Sequence, residues 1–137
     1  MNAIQSATEV RANFGQYIDD VVRVKPQFVK RNRDIIASFS IEQLKLIFAA
    51  YEFTFEYEQT NDTFVGSIEQ IEDIIAEANT LEELKLSLAT QLFEYAEEYF
   101  EYFEQYQNAP NRKKHVPYIM RVLVYNSPEE IVNLLHG

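Results

Sequence analysis

The chain has no cysteine, which excludes disulfides and thiolate metal sites while leaving its redox compartment open. It is also poor in positive charge, with 12 Lys and Arg against 22 Asp and Glu and a net charge of −10. Taken over the whole molecule, that balance argues against nucleic acid as a partner. The N-terminus lacks a basic segment followed by an apolar one, and no run approaches the roughly 18 apolar residues of a membrane span. A soluble, cytoplasmic chain without a membrane partner is the expectation. P-loop, GxGxxG and HExxH motifs are absent, and the two histidines, His115 and His136, sit in no recognisable nucleophile motif. No catalytic residue, resident metal or cofactor is therefore assigned. There is no internal repeat and no low-complexity linker.

What is present supports a folded molecule. Hydrophobic residues make up 47% of 137 positions, enough for one ordinary domain or two very small ones. The scarce bases are unevenly placed. Residues 1–48 hold seven of them against five acids, a net of +2, leaving five bases and seventeen acids, a net of −12, for residues 49–137. Charge alone leaves two readings open: a nucleic-acid-facing part beside an acidic part, or local fluctuation in an acidic domain.

Hydrophobic spacing predicts α+β structure in two modules, residues 1–48 and 49–137. In the first, Ala3–Gln5 begins a strand, and Ser6 or Thr8 caps a helix with Val10, Phe14, Tyr17, Ile18, Val21 and Val22 on one face. Gly15 weakens that helix by roughly 1 kcal/mol without ending it, and Pro26 stops it. Phe28–Lys30 and Ile35–Phe39 are β-prone runs around the turn Arg31-Asn32-Arg33-Asp34. Ser40-Ile41-Glu42-Gln43 is a capping box that opens a helix to about Ala49. A β-α-β-β-α unit this small buries little core by itself, so it is expected to dimerise.

The second module opens with YEFTFEYEQ, whose aromatics alternate with polar residues as in a half-buried strand. A turn at Thr60-Asn61-Asp62 leads to a returning strand, Thr63–Ile68, with Gly66 at a bulge or close approach. Residues 73–78 read as a third strand or as helix. Thr80-Leu81-Glu82-Glu83 caps the longest helix, expected to reach Gln107, with a stripe from Leu81 through Leu88 and Tyr99 to Tyr106. Helices after Pro117 and Ser127 close the chain.

SATEVRANF, the helix after it, QFVKRNRDIIASFS and the serine-capped IEQL helix occur in the order found in the Phd/YefM (prevent-host-death) antitoxins, which residues 1–48 resemble. Arg33 stands at the family's hairpin glycine and Asp34 at its proline. The resemblance implies a homodimer that binds its own operator DNA, with Arg11 and Arg31 at the family's DNA-contacting arginines. Asn13, Lys30 and Arg33 are accessory candidates on the same side. More loosely, the alternating first strand, TFVGSIE and ANTLEELKLSLATQLFEYA make the second module similar to HicB-type antitoxin domains, with Ala78-Asn79 at the usual glycine-aspartate. That likeness implies non-catalytic binding of a small RNA-cleaving protein toxin. An acidic surface suits a basic partner of this kind.

The helix EYAEEYFEYFEQY carries Tyr95, Tyr99, Tyr102 and Tyr106 as candidate partner-binding residues. Its aromatics cover more of the helix than one stripe needs. Either a second face meets a partner, or residues 116–135 form a third layer over a broad core. Glu94, Glu97, Glu98, Glu101 and Glu104 tempt a di-metal reading, but lack a histidine at the required spacing and read as the helix's wet face. Asn111–His115 is a basic loop that either touches phosphate or pairs with the chain's own carboxylates. The combined expectation is an antitoxin that represses its operator and masks a toxin. The alternative is a scaffold protein whose first module only dimerises.

Overall fold

The computed structural model describes residues 4–137, so Ala3 lies outside the described residues. The chain divides into two compact units, Met1–Leu46 and Ile47–Gly137, each mixing helices with a small sheet. The α+β class expected from hydrophobic spacing is the one observed.

In the first unit, β1 (Ile4–Ser6) runs parallel to β2 (Gln27–Arg31), which pairs antiparallel with β3 (Asp34–Ser38). Arg31 lies opposite Asp34, so the turn is only Asn32-Arg33. Asn32 adopts φ 55°, a left-handed conformation that asparagine tolerates better than most residues. Ser6 caps α1 (Ala7–Ala12), its Oγ accepting the Glu9 N–H at 3.1 Å. The single helix expected from this cap instead breaks at Asn13 (φ −132°, ψ 46°) and restarts as α2 (Phe14–Arg23). The Asn13 N–H reaches the carbonyls of both Glu9 and Val10 at 3.2 Å, and its side chain approaches Glu9 O at 3.5 Å. The donors of Asn13 thus turn back to the end of α1, while its carbonyl accepts from Tyr17 N–H at 3.0 Å to begin α2. α3 (Ile41–Phe48) opens on the expected capping box: Ser40 Oγ accepts from Gln43 N–H at 3.2 Å, and Gln43 Oε1 accepts from Ser40 N–H at 2.8 Å.

This unit buries little. Its apolar core is Tyr17, Val21 and Val29, with the Tyr17 hydroxyl hydrogen-bonded to Ser38. Buried Gln27 is satisfied by accepting from Gln5 Nε2 at 2.8 Å and donating to Lys25 O at 3.0 Å.

In the second unit, β4 (Phe53–Thr60), β5 (Thr63–Ile68) and β6 (Ile71–Ala78) form an antiparallel sheet, and β7 (Leu135–His136) adds in parallel beside Phe53 and Thr54. The order is β6-β5-β4-β7. Residues 73–78, ambiguous by sequence, therefore belong to a strand. Phe53 and Phe55 are buried while Glu56 and Glu58 are exposed, but Tyr51 and Tyr57, which the alternation of YEFTFEYEQ places on the same face as the phenylalanines, are exposed as well. The β4–β5 turn repeats the device of the first unit, with Asn61 at φ 57°.

Thr80 caps α4 (Leu81–Glu101), accepting from Glu83 N–H at 3.1 Å. The helix stops short of Gln107: Tyr102 (φ −110°, ψ 38°) interrupts it, and α5 (Phe103–Asn108) follows. Leu84, Leu88, Leu92, Ala96 and Tyr99 are fully buried. α4 packs on β5 and β6, and also on α6 (Val116–Leu123) and α7 (Pro128–Val132). The second contact is the third layer that a broad apolar helix requires, and it buries Ile119, Val122 and Ile131. Gly66 makes the helix–sheet approach possible. A Cβ there would lie 2.9 Å from both Glu56 O and Leu84 Cδ2.

Candidate functional site

Three of the first unit's bases, Lys30, Arg31 and Arg33, lie at the hairpin end of β2 and β3. The parallel pairing of β1 with β2 sets Ser6, the cap of α1, opposite Lys30. A cleft of about 520 Å³ lies there, lined by Ser6, Glu9, Lys30 and Asn32 among others. Of the five sequence candidates, only Lys30 lines this cleft. Arg31 and Arg33 flank and occupy the hairpin turn, and Arg11 is in the last turn of α1; all three are exposed. Arg11, Lys30, Arg31 and Arg33 form no ion pair among the described residues. Asn13 is exposed too, but its side chain is committed to the end of α1.

Beside this basic end the same unit carries an uncovered apolar groove. It is a space of about 770 Å³ whose lining includes Val10, Phe14, Ile18, Val22, Ile36 and Ile41. Phe14 is 58% exposed and Ile36 61%. The helix stripe read in the sequence thus splits: Tyr17 and Val21 face the unit's own core, and Phe14, Ile18 and Val22 face outward.

Four of the second unit's five bases are engaged internally, all but Lys113, with Lys85 over the Phe55 ring. Lys114 pairs with Glu72, Arg112 Nη2 lies 3.9 Å from Asp73, and Arg112 also stacks over the rings of Tyr95 and Tyr106. Arg121 is buried and donates from Nη1 to Tyr51 O at 2.7 Å. His115 is 2% exposed, with Nδ1 2.8 Å from the Tyr95 hydroxyl and Nε2 3.1 Å from Glu72. A carboxylate only accepts, so Nε2 carries the proton that faces Glu72. In the neutral ring Nδ1 then accepts from Tyr95, whose oxygen in turn accepts from Arg112 Nη1 at 3.0 Å. The bonds from Lys114 and from its own backbone, with the smaller contribution of His115, hold the Glu72 carboxyl down at about 2. Burial pushes the Tyr95 and Tyr99 hydroxyls above their ordinary range. The Asn111–His115 loop is therefore bound to the unit's own carboxylates, one of its two expected roles.

The four candidate tyrosines have different surroundings. Tyr99 is fully buried, its hydroxyl donating to Arg112 O at 2.8 Å. Tyr95 belongs to the histidine network, Tyr106 is half-buried beneath Arg112, and Tyr102 is exposed at the helix break. The Tyr95–His115–Glu72 chain was not legible in the sequence, because its members are separated by 20 and 43 residues. Among the described residues no group of three or more His, Cys, Asp or Glu side chains is arranged to hold a metal. No helix among them is long and apolar enough to cross a membrane.

Comparison with known proteins adds what this chain is similar to. No curated protein matches the chain. A crystal structure of the antitoxin part of a proposed toxin/antitoxin system from Syntrophomonas wolfei subsp. wolfei superposes with a TM-score of 0.91 at 37% identity, over 97% of this chain and 96% of that one. A family model, PHD-like, described as the antitoxin of a RelE/RelB toxin–antitoxin system, matches residues 1–137 and so spans both units. The chain belongs to this PHD-like family of toxin–antitoxin antitoxins.

Proposed function

We propose that this antitoxin acts without catalysis in two ways: as a homodimer that binds its operator through the first unit, and as a direct mask of its toxin through the second. One observation carries the DNA reading. Four exposed bases, Arg11, Lys30, Arg31 and Arg33, are left without carboxylate partners on α1 and the β2–β3 hairpin, in a unit of net charge +2 within a chain of −10. Unpaired arginines are suited to phosphate clamping and to bidentate contact with guanine. The groove lined by Phe14, Ile18 and Ile36 supports dimerisation, since a core of three residues gains most from a second copy. A dimer also presents two hairpins, matching a two-fold operator.

The second unit, with its own core, supports surface docking as the HicB-type resemblance implies, in place of a tail that folds only on binding. Arg11 and Arg31 are the proposed principal DNA contacts, with Lys30 and Arg33 as accessories and Asn13 holding α1. Exposed Tyr102 is the proposed partner contact among the helix tyrosines. Titration of the purified chain with its own upstream promoter fragment over a salt series, against scrambled DNA, tests this reading. Specific binding should weaken steeply with salt, and Arg31→Ala or Arg11→Ala should lower affinity and flatten the salt slope by about one. No preference over scrambled DNA would leave the first unit as a dimerisation device only.

A further inference from the structure

We infer that the free edge of β6 receives the toxin: an extended segment bearing lysine or arginine adds there as a further strand of the sheet. This deepens the toxin-masking reading above and rests on it. β6 ends the sheet, hydrogen-bonded to β5 on one side only, and is eight residues long. Gln91 Nε2, on α4, donates to the Ile75 carbonyl at 2.9 Å, so that carbonyl points away from β5. Strand period then places the main-chain groups of Glu77 along the same open edge, regular pairing running from Ile75 to Ala78 after a register shift that precedes Ile75.

An edge of this kind templates another strand unless lysine, proline or a covering element blunts it. IEDIIAEA contains neither lysine nor proline. Its charges are Glu72, Asp73 and Glu77, all negative and exposed; Lys114 holds Glu72 and Arg112 Nη2 lies 3.9 Å from Asp73, which leaves Glu77 unpaired among the described residues. Two copies of β6 would set these acidic strands against each other, whereas a cationic strand would pair with the unpaired Glu77. The edge therefore selects a basic partner over a second copy of this chain. Ile75, 60% exposed, offers an apolar cross-strand contact.

A cleft of about 510 Å³ adjoins the edge, its lining including Asp73, Glu94 and Glu98 with Arg112 as its one cation. Glu77, Glu94 and Glu98 make no ion pair among the described residues. Lysine or arginine side chains on an added strand would reach these carboxylates from the edge. The Tyr95–His115–Glu72 chain fixes the rim at the start of β6.

The experiment uses the full chain co-expressed with the product of the reading frame adjacent to its gene. Ile75→Pro removes an edge N–H at a position where proline is tolerated, and Glu77→Lys reverses one exposed charge. In the wild-type complex the amides of residues 75 and 77 should gain protection from hydrogen exchange. Both variants should bind roughly tenfold more weakly or worse, with thermal unfolding of the free chain close to wild type. Equal affinity in Glu77→Lys together with unchanged exchange along β6 would overturn the edge assignment and leave the toxin-masking reading intact. Failure of the wild-type chain to bind the adjacent product would overturn that reading, and the edge assignment with it.

Discussion

Among the described residues the first unit's core is three buried apolar side chains, Tyr17, Val21 and Val29, whereas the second's is seventeen. Both are built from the same parts: a hairpin turned by an asparagine at φ near 55°, a serine- or threonine-capped helix, and a small sheet. What differs is where the apolar and basic side chains end up. In the second unit α4 is covered by sheet and by α6 and α7, and Arg112, Lys114 and His115 are held by tyrosines and carboxylates. In the first, Phe14, Ile18, Val22 and Ile36 stay in solvent, and five of its seven bases find no carboxylate among the described residues. Side chains satisfied at home maintain a fold; those left over are available to meet other molecules.

The sharpest way to break this comparison is to truncate an apolar residue in each unit. Leu88→Ala should cost about 2–5 kcal/mol in chemical unfolding, because a fully buried leucine leaves a cavity. Phe14→Ala should leave unfolding of the second unit unchanged and shift the chain towards monomer in sedimentation equilibrium. If Phe14→Ala leaves the association state untouched, the open groove is not a dimer face. The next effect is smaller. Gly66→Ala should destabilise the second unit by about 1–3 kcal/mol, since the added methyl meets a backbone carbonyl as well as Leu84. Wild-type stability in that variant would mean that α4 and the sheet separate freely.

The smallest effect is electrostatic. Glu72 has a folded carboxyl near 2 against an ordinary 4.5, held chiefly by Lys114. A depressed carboxyl contributes stability above its ordinary value and loses it as the pH falls towards 2. The stability gap between wild type and Glu72→Gln should thus be constant above about pH 5 and close between pH 4.5 and 2. Both side chains are more than half exposed, so the gap should be modest. A gap that persists at pH 2 in urea unfolding would assign the effect to packing of Glu72 and not to its charge.

Much of the fold was legible because its signals are local. Ser6, the Ser40/Gln43 box and Thr80 cap helices where their spacing says they should, and Phe53 and Phe55 alternate inward. The helix breaks at Asn13 and Tyr102 were missed, since both lie in uninterrupted apolar periodicity with no proline between flanking turns. An asparagine whose side chain competes for helix carbonyls was the available clue at the first. β7 had no legible signal, because two residues, Leu135 and His136, become a strand only by lying against Phe53 and Thr54. Which of the four tyrosines stay exposed was equally hidden, as it depends on where Arg112 and α6 return to α4.

By itself the sequence determined the α+β class, the helix caps, the Asn-led turns and the concentration of bases near the start, since each depends on residues within a few positions of one another. Tertiary structure alone decided that Tyr17 and Val21 are covered while Phe14 and Ile18 are not, that His115 is buried against Glu72, and that β6 is an edge. Those outcomes depend on which distant surfaces remain after packing, and burial is a property of the neighbours a side chain acquires.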